Sequence, residues 1–380
     1  MVKTTKILVA GDFAPRARVS ELFLRGKYGE VLQDIIPIVE ESDYSIVNLE
    51  CPICESKNPI VKTGPNLCTD ASVIGALKHT GFCAVTLANN HIKDFGPKGV
   101  TNTIEELEKA DIDYTGAGKN LYDAQKTLYK NIDDETFAFI NVCEHEWSIA
   151  TETEAGAAPL DLISLHSQID CAKEQAKYII AIVHGGTELY PHPTPRMKRT
   201  YRFLVDCGAD VVVSHHQHVF CGYESYKDHP IFYGLGNFCF DSRKRRNERW
   251  NEGFMVNLIF STDIINFQLI PYTQCNEEPK VKLITDNDTF HKRVEELNSI
   301  IADDTKLNQL YNQLVEERCE NVRSLLEPYT NRYLKYLVKR LGGPYLKSNR
   351  SYIHLLAHLQ CEAHNDIFID GLRKIVNQSL

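Results

Sequence analysis

The chain contains 380 residues, of which 43% are hydrophobic, 24% charged and 9% aromatic. This composition is ordinary for a folded protein, and the length allows one large domain or two. The formal net charge of -9 argues against a nucleic-acid partner, because such proteins favour a basic stripe. No apolar run reaches the roughly 18 residues that indicate a membrane span, and the N-terminus carries only the short run ILVA. We therefore expect a cytoplasmic protein without a membrane span.

Short apolar runs alternate with helical stretches through the first two-thirds of the chain. The predicted strands cover residues 6–12, 44–50, 82–91, 136–142, 178–186, 209–216 and 230–238, with a further pair of strands within 253–272. The predicted helices cover residues 20–40, 70–80, 97–110, 166–177 and 195–207. The strands are rich in β-branched residues and mostly uninterrupted, which is typical of strands buried on both faces of an α/β domain. We assign residues 1–284 to this domain.

From residue 285 to residue 380 the pattern is helical. Leu307, Leu310 and Leu314 recur at the spacing of one helix face. Gly342, Gly343 and Pro344 interrupt the pattern, and two more helices are predicted after them. We expect an all-α C-terminal segment whose helices pack together or against the first domain.

Twelve cysteines are scattered along the sequence. Several, such as Cys207 and Cys239, lie in apolar strand-like contexts, which indicates buried thiols in a reducing compartment and not a disulfide framework. The only C-x-x-C is CPIC at 51–54, and no second pair follows at zinc spacing. The cysteines therefore favour neither a structural zinc site nor a redox motif.

Polar residues follow the predicted strands at the point where each strand ends. Each has an ordinary explanation by itself: Asp12 could cap a turn, Glu50 could be a solvated loop acid, and His184 could be a hydrogen-bonded loop histidine. Together they indicate a metal or catalytic site, because ligands of open α/β sheets bind beyond the carboxyl ends of the strands. Carboxylate, amide oxygen and imidazole form the mixed set that suits Mn, Fe or Zn. The full set comprises Asp12, Asn48, Glu50, Asn90, His91, His184, His215, His216 and His218.

His216 and His218 stand two residues apart in GADVVVSHHQHV, residues 208–219. In an extended strand they would share one face, whereas in a bend after the strand they can splay toward two neighbouring ions. The basic run SRKRRNERW at 242–250 is explained either as a solvated loop or as a contact for an anionic ligand at the mouth of the site.

The order of the motifs resembles the bacterial capsule synthesis protein CapA family, the PgsA-type proteins associated with poly-γ-glutamate capsules. The matching pieces run from about residue 6 to residue 242 and include GDFAP, VNLECPI, LANNH, GAGKN, HGG, SHHQH and GLGNF. That family is similar to the calcineurin-like metallophosphatases. The resemblance implies a four-layer α/β/β/α sandwich and a metal site with one or two divalent transition ions.

The resemblance also implies a role for each residue of the site. Asp12 and His218 would bind the first ion, and Glu50 would bridge both ions. His91 would act as general acid, with Asp94 orienting its ring. One position departs from the pattern, because Ala14 stands where metallophosphatases usually carry a further histidine, so the first ion is expected to be the weaker one. The remaining ligands belong to the second ion: Asn90, His184 and His216.

The leading functional hypothesis is therefore metal-dependent hydrolysis linked to capsule, exopolysaccharide or poly-γ-glutamate metabolism. The substrate would be an anionic or phosphorylated small molecule or polymer, cleaved at a phosphoester or at a γ-linked amide. The alternative is a non-catalytic assembly component that keeps the site to bind an anionic polymer, for which Ala14 leaves room. A nucleotide phosphodiesterase is a weaker possibility, because no base-specific pocket is indicated.

Overall fold

The structure is a computed structural model that describes residues 4–54, 58–62, 64–262, 264–285, 287–326 and 332–341. The strands are β1 (Thr5–Phe13), β2 (Tyr44–Leu49), β3 (Ala84–Thr86), β4 (Asp113–Thr115), β5 (Ala117–Gly118), β6 (Leu128–Ile132), β7 (Glu135–Cys143), β8 (Gly156–Ala157), β9 (Tyr178–His184), β10 (Val211–His215), β11 (Tyr223–Tyr226), β12 (His229–Phe232), β13 (Asn237–Cys239), β14 (Glu252–Ser261), β15 (Ile264–Gln274) and β16 (Val281–Leu283). The helices are α1 (Arg18–Leu24), α2 (Tyr28–Leu32), α3 (Ile36–Glu40), α4 (Ser72–Thr80), α5 (Gly96–Ala110), α6 (Leu121–Ala124), α7 (Leu162–Lys173), α8 (Pro195–Cys207), α9 (Asp288–Ala302), α10 (Asp304–Leu326) and α11 (Arg332–Arg340).

Two sheets form the body of the fold. The first has the order β16-β15-β14-β1-β2-β3-β4, with β13 also paired to β1, and the second has the order β11-β12-β10-β9-β7-β6. Strands β1 to β4 run parallel, as do β7, β9, β10 and β12 in the second sheet. The two sheets therefore each present a row of parallel carboxyl ends, which is where the polar residues of the sequence fall.

Alternation along the strands builds the layers. Ile7 and Val9 of β1 pack in a core shared with the second sheet, whereas Leu8 and Ala10 point to the opposite face, against helices α1 to α5. In the second sheet, the outward face packs against α7 and α8 through side chains such as Tyr201. Helices thus cover the outer face of each sheet, and the predicted four-layer α/β/β/α sandwich is confirmed.

Three predicted elements were wrong in extent. The single helix expected over 20–40 is three short helices, because Gly26 has a φ of 69° and Pro37 starts a new turn. The strand expected over 82–91 covers only Ala84–Thr86. The strand expected over 230–238 is two strands in different sheets, since Gly236 has a φ of 80° and turns the chain from β12 of the second sheet to β13 of the first.

The chain divides into two compact units, Met1–Gln309 and Leu310–Leu380. Helix α9 belongs to the first unit and buries Phe290, Val294 and Leu297 in the core between the sheets. The break at 342–344 and the two helices predicted after it lie outside the described residues. The domain boundary at 284 stays a prediction. Within the part of the chain that the structure describes, no helix is long and apolar enough to cross a membrane.

Candidate metal centre

The carboxyl ends of strands from both sheets deliver the predicted ligands to one place. Asp12 lies near the end of β1, and Glu50 directly follows β2. His184 ends β9 of the second sheet, while the segment after β10 carries the two remaining histidines. All of these side chains are buried, and the full set is Asp12, Glu50, Asn90, His184, His216 and His218.

Glu50, His184 and His216 form one group whose potential ligand atoms all lie within 4.8 Å of one another. His184 Nε2 is 3.5 Å from Glu50 Oε1 and 3.1 Å from His216 Nδ1. Asn90 joins this group, since its Oδ1 lies 3.1 Å from His184 Nε2. These are the four residues that the sequence assigned to the second ion.

Asp12, Glu50 and His218 form the other group, again with ligand atoms within 4.8 Å of one another. His218 Nδ1 lies 3.7 Å from Asp12 Oδ2, and His218 Nε2 lies 3.8 Å from Glu50 Oε1. Glu50 is shared by both groups, so its carboxylate stands where it could bridge two ions. Ala14 is buried and contributes only a backbone N–H, which donates to Cys239 O.

The electrostatics of Glu50 fit a cation. Both of its carboxylate oxygens are buried and have no hydrogen-bond partner among the described residues. Burial raises the pKa of Glu50 well above its ordinary value, and the nearby Asp12 raises it further. A buried carboxylate of this kind is costly unless a positive charge accompanies it. A divalent ion would supply both the charge and the missing contacts, so the donor set fits a metal.

The protonation states of the other ligands fit as well. Burial lowers the pKa of His184 and of His216, and neighbouring imidazoles lower both further. Both rings are therefore neutral near pH 7, which is the form that coordinates metals. Burial would raise the pKa of Asp12, but the neighbouring His215, together with the other histidines, outweighs it and leaves the pKa lowered. Asp12 is thus ionised, with His215 Nδ1 at 3.2 Å from Asp12 Oδ1.

The bend after β10 explains how two histidines so close in sequence reach different groups. His216 has a φ of 98° and His218 a φ of 57°, both in the region that side chains disfavour. Such conformations cost on the order of 1–3 kcal/mol each and cluster at functional sites. The backbone N–H of His216 donates to Asp12 Oδ2 at 3.2 Å, which ties the bend to the first sheet.

Two buried asparagines hold the site, and the sequence assigned neither of them as a ligand or as a catalytic residue. Asn48 Nδ2 donates to Asp12 Oδ1 at 2.7 Å and lies 3.2 Å from His184 Nδ1, so it contacts one ligand from each sheet. Asn141 Oδ1 accepts from the backbone N–H of Ala88 at 2.7 Å and so supports the loop that leads to Asn90. The feature of the sequence that could have indicated both residues is a side-chain amide within an otherwise apolar predicted strand.

His91 and Asp94 lie beside this centre and contact each other. His91 Nδ1 is 2.6 Å from Asp94 Oδ2, which also accepts from the backbone N–H of Leu67. Lys62 was not predicted: its Nζ pairs with Asp94 Oδ1 and lies 3.1 Å from His91 Nδ1. Burial lowers the pKa of His91, Asp94 opposes that change, and Lys62 adds to it. Nothing in the sequence around Lys62 indicated this contact.

The basic run at 242–250 has a mixed role. Its last aromatic residue, Trp250, packs on the first group, with ring centroids of Trp250 and His218 4.7 Å apart. Arg246 pairs with the buried Asp241, so part of the run stabilises the fold. Arg243 is exposed. The run therefore lies next to the candidate site, as one of its two explanations requires.

An acidic side chain also lies close to His216. Glu146 Oε1 lies 3.8 Å from His216 Nε2, and the carboxylate hydrogen-bonds Asn90. Burial raises the pKa of Glu146, although the bond to Asn90 opposes that change. This residue follows β7 and was not singled out from the sequence.

Fold and site together define a four-layer α/β/β/α protein with a candidate dinuclear metal centre at the carboxyl ends of its parallel strands. Residues 6–242 match the profile of the family described as bacterial capsule synthesis protein PGA_cap. The chain belongs to this family, and the family predicted from the motifs is confirmed.

Two curated relatives are similar over much of the chain. Capsule biosynthesis protein CapA of Bacillus anthracis is 34% identical over 248 residues, which is 63% of this chain and 60% of the relative. PGA biosynthesis protein CapA of Bacillus subtilis (strain 168) is 33% identical over 215 residues, 56% of this chain and 57% of the relative. The matches thus span about 60% of the length of these relatives. Among solved structures, a 5'-nucleotidase precursor from Thermus thermophilus overlaps with a TM-score of 0.41 and 12% identity, covering 79% of this chain and 59% of that one.

Proposed function

We propose that the protein is a metal-dependent hydrolase that acts on a phosphoester in capsule, exopolysaccharide or poly-γ-glutamate biosynthesis. The observation that supports this most is Glu50, a buried carboxylate that has no hydrogen bond within the described part of the chain and is shared by two groups of candidate ligands. One or two divalent transition ions, Mn, Fe or Zn, would supply Lewis-acid charge stabilisation and activation of the nucleophile. The names of the two CapA relatives support the biosynthetic setting.

Each ligand has one task in this proposal. Asp12 and His218 would hold the first ion, and Glu50 would be shared by both ions. The second ion would be held by Asn90, His184 and His216. Asn48 donates a hydrogen bond to Asp12 Oδ1, so that the carboxylate keeps its orientation. Because all these side chains are buried on strand ends of two packed sheets, the geometry is set before a substrate arrives.

His91 donates the proton that the leaving group needs from its imidazolium form, which carries a hydrogen on both nitrogens; Asp94 favours this form, whereas burial opposes it. Its Nδ1 is engaged by Asp94, so Nε2 is the atom that faces outward from this pair and transfers the proton. Asp94 is itself held by Leu67 and Lys62, which keeps the imidazole in one orientation.

A γ-glutamyl amide is a second candidate bond, favoured by the name of the Bacillus subtilis relative, PGA biosynthesis protein CapA. The same ligands and the same acid would serve it, since an amide nitrogen also needs a proton to leave. A non-catalytic role in polymer binding is the alternative that Ala14 favours, because the first group then has only three ligands. A cytoplasmic location stays a prediction.

Metal analysis of the purified protein and of two variants tests the site. His184→Ala and His216→Ala each remove a ligand of the second ion, so both should lose most of the bound metal and all hydrolysis of phosphoester or γ-glutamyl substrates supplied with Mn, Fe or Zn. His166→Ala is the matched control, because His166 lies exposed on α7. Metal contents equal to the unmodified protein in both site variants would show that the ligands are assigned wrongly. Bound metal without hydrolysis of any substrate would favour the binding role.

The acid role of His91 has a separate test. His91→Asn should slow hydrolysis of alkyl esters by about 10²–10⁴-fold and should hardly change that of a nitrophenyl ester, whose leaving group departs without a proton. Metal content should not change, because His91 is not a ligand. Equal losses on both esters would contradict proton donation, whether or not stability also falls.

A further inference from the structure

Asn237 lies in the GLGNF motif, which the proposed function does not use. It opens β13, and in the parallel pairing of β13 with β1 it stands opposite Asp12. The side chain is fully buried and contacts His218, a ligand of the first ion in the proposed function. The distances between the candidate ligands do not show which ring nitrogen of His218 would bind the first ion, but the hydrogen bonds of Asn237 do.

The orientation of the Asn237 amide is determined by two backbone carbonyls. Nδ2 lies 3.1 Å from His218 O and 3.3 Å from Trp250 O, and a carbonyl oxygen only accepts hydrogen bonds. The NH₂ group must therefore occupy that position. The amide oxygen then points the other way, where Oδ1 is 2.9 Å from His218 Nδ1.

This orientation sets the tautomer of His218. An amide oxygen cannot donate, so His218 Nδ1 has to carry the hydrogen that joins it to Asn237. A neutral imidazole has only one N–H, which leaves the lone pair on Nε2. Nε2 is the nitrogen 3.8 Å from Glu50 Oε1. The ring cannot rotate freely away from this position, because Phe240 and Trp250 pack on it with centroid distances of 5.4 Å and 4.7 Å.

We propose that Asn237 is a positioning residue of the metal site, which fixes His218 as the Nδ1–H tautomer and so presents Nε2 to the first ion. The inference rests on the proposed metal site, but its first test does not require a bound metal. Asn237 contacts neither the ion nor the substrate and acts only through His218. With Ala14 supplying no ligand, the first ion depends on three residues, so the correct lone pair on one of them matters more than at the second ion.

The tautomer is measurable in the metal-free protein. Long-range ¹H–¹⁵N correlation spectra of histidine-labelled protein, at a pH where imidazole is neutral, should show His218 protonated at Nδ1. The His218 signals are those that disappear in His218→Gln. An Nε2–H pattern in the unmodified protein would overturn the proposal without any variant of Asn237, and it would leave the proposed hydrolase function untouched.

Zn²⁺ titration by calorimetry gives the second readout. Asn237→Ala should weaken binding of the first ion by about 10–100-fold, as loss of a partner behind a metal ligand does, and should change the second ion by less than about threefold. Asn237→Asp keeps an oxygen that accepts from Nδ1–H but loses both bonds to carbonyls. It should therefore retain the tautomer and the first ion.

Asn251→Ala is the matched control for loss of structural hydrogen bonds. Asn251 is also buried and donates to the carbonyls of Gln274 and Cys275, but none of its hydrogen bonds among the described residues joins it to a histidine. It should leave the first ion unchanged. If Asn251→Ala and Asn237→Ala lose equal affinity for the first ion, the effect comes from a general loss of folding. If Asn237→Asp and Asn237→Ala lose equal affinity, the effect comes from the hydrogen bonds to the two carbonyls. Either result would overturn the proposal.

Discussion

Gly11, next to Asp12 on β1, offers a sharp test of how the sheet positions the site. A Cβ atom at this position would lie 2.1 Å from Gly236 O and 3.1 Å from Tyr272 Oη. The first contact is with backbone, which cannot move aside by a change of rotamer. Gly11→Ala should therefore push β1 away from the turn that precedes β13.

The magnitude follows from two effects. Overpacking a tightly filled core position costs about 1–3 kcal/mol. The displaced backbone also weakens the hydrogen bond from Asp12 N to Gly236 O, now 3.1 Å, which is worth about 0.5–1.5 kcal/mol. We expect Gly11→Ala to lower the free energy of unfolding by about 2–4 kcal/mol. Because Asp12 moves with its backbone, the affinity for the first ion should fall as well.

Chemical denaturation of the metal-free proteins measures the first effect, and Zn²⁺ titration measures the second. Gly99→Ala is the control, since a Cβ at position 99 of α5 would meet its nearest neighbours at 3.4 Å. It should be neutral or should stabilise the helix by up to about 1 kcal/mol. If the free energy of unfolding of Gly11→Ala lies within about 0.5 kcal/mol of that of the unmodified protein, the close approach of Gly11 to Gly236 does not constrain the site, and the reasoning is refuted.

Three further predictions concern the first ion, pH and the helical segment. Ala14→His should raise the stoichiometry of tightly bound Zn²⁺, whereas two equally tight sites in the unmodified protein would mean that a ligand was missed. For Asp241, burial would raise the pKa, but hydrogen bonds from Arg18 and the charges of the neighbouring arginines lower it below the ordinary 3.8. A lowered folded-state pKa stabilises the fold above about pH 4, and this stability is lost as the pH falls through the folded pKa. Asp241→Asn should therefore lower the free energy of unfolding by about 1.5–3 kcal/mol at pH 7 and by much less at acid pH. Chemical denaturation at both pH values measures the difference, and an equal loss at both would show that the charge of Asp241 does not stabilise the fold. A chain ending at residue 284 lacks Phe290 and its neighbours on α9, so it should expose the core between the sheets and lose solubility, while equal stability would show an independent segment.

The polar residues of the candidate site were predictable as residues at strand ends because their signal is local. A continuous apolar run such as 178–183 indicates a strand buried on both faces wherever it lies in the fold, and a polar residue directly after it stands at the carboxyl end. His184 therefore needed no knowledge of the partner strand to be suspected. The same holds for Asp12 and Glu50, and the metallophosphatase-like pattern followed from their order. Local patterns failed where a glycine bends the chain, as between β12 and β13.

Only the tertiary structure decided how the site is held. Asn48, Asn141 and Asn237 orient candidate ligands or their loops through amides buried in strands, and the sequence did not indicate which side chains these amides contact. Lys62 reaches His91 across 29 positions, and the backbone of His216 reaches Asp12 across 204. The sequence by itself determined which side chains lie at the ends of the strands, because the apolar pattern that indicates a buried strand extends over only a few neighbouring residues. The packing of the two sheets determines which ring nitrogen or carboxylate oxygen contacts which partner. A hydrogen bond forms only when two atoms lie about 3 Å apart, and a sequence pattern does not specify positions this accurately.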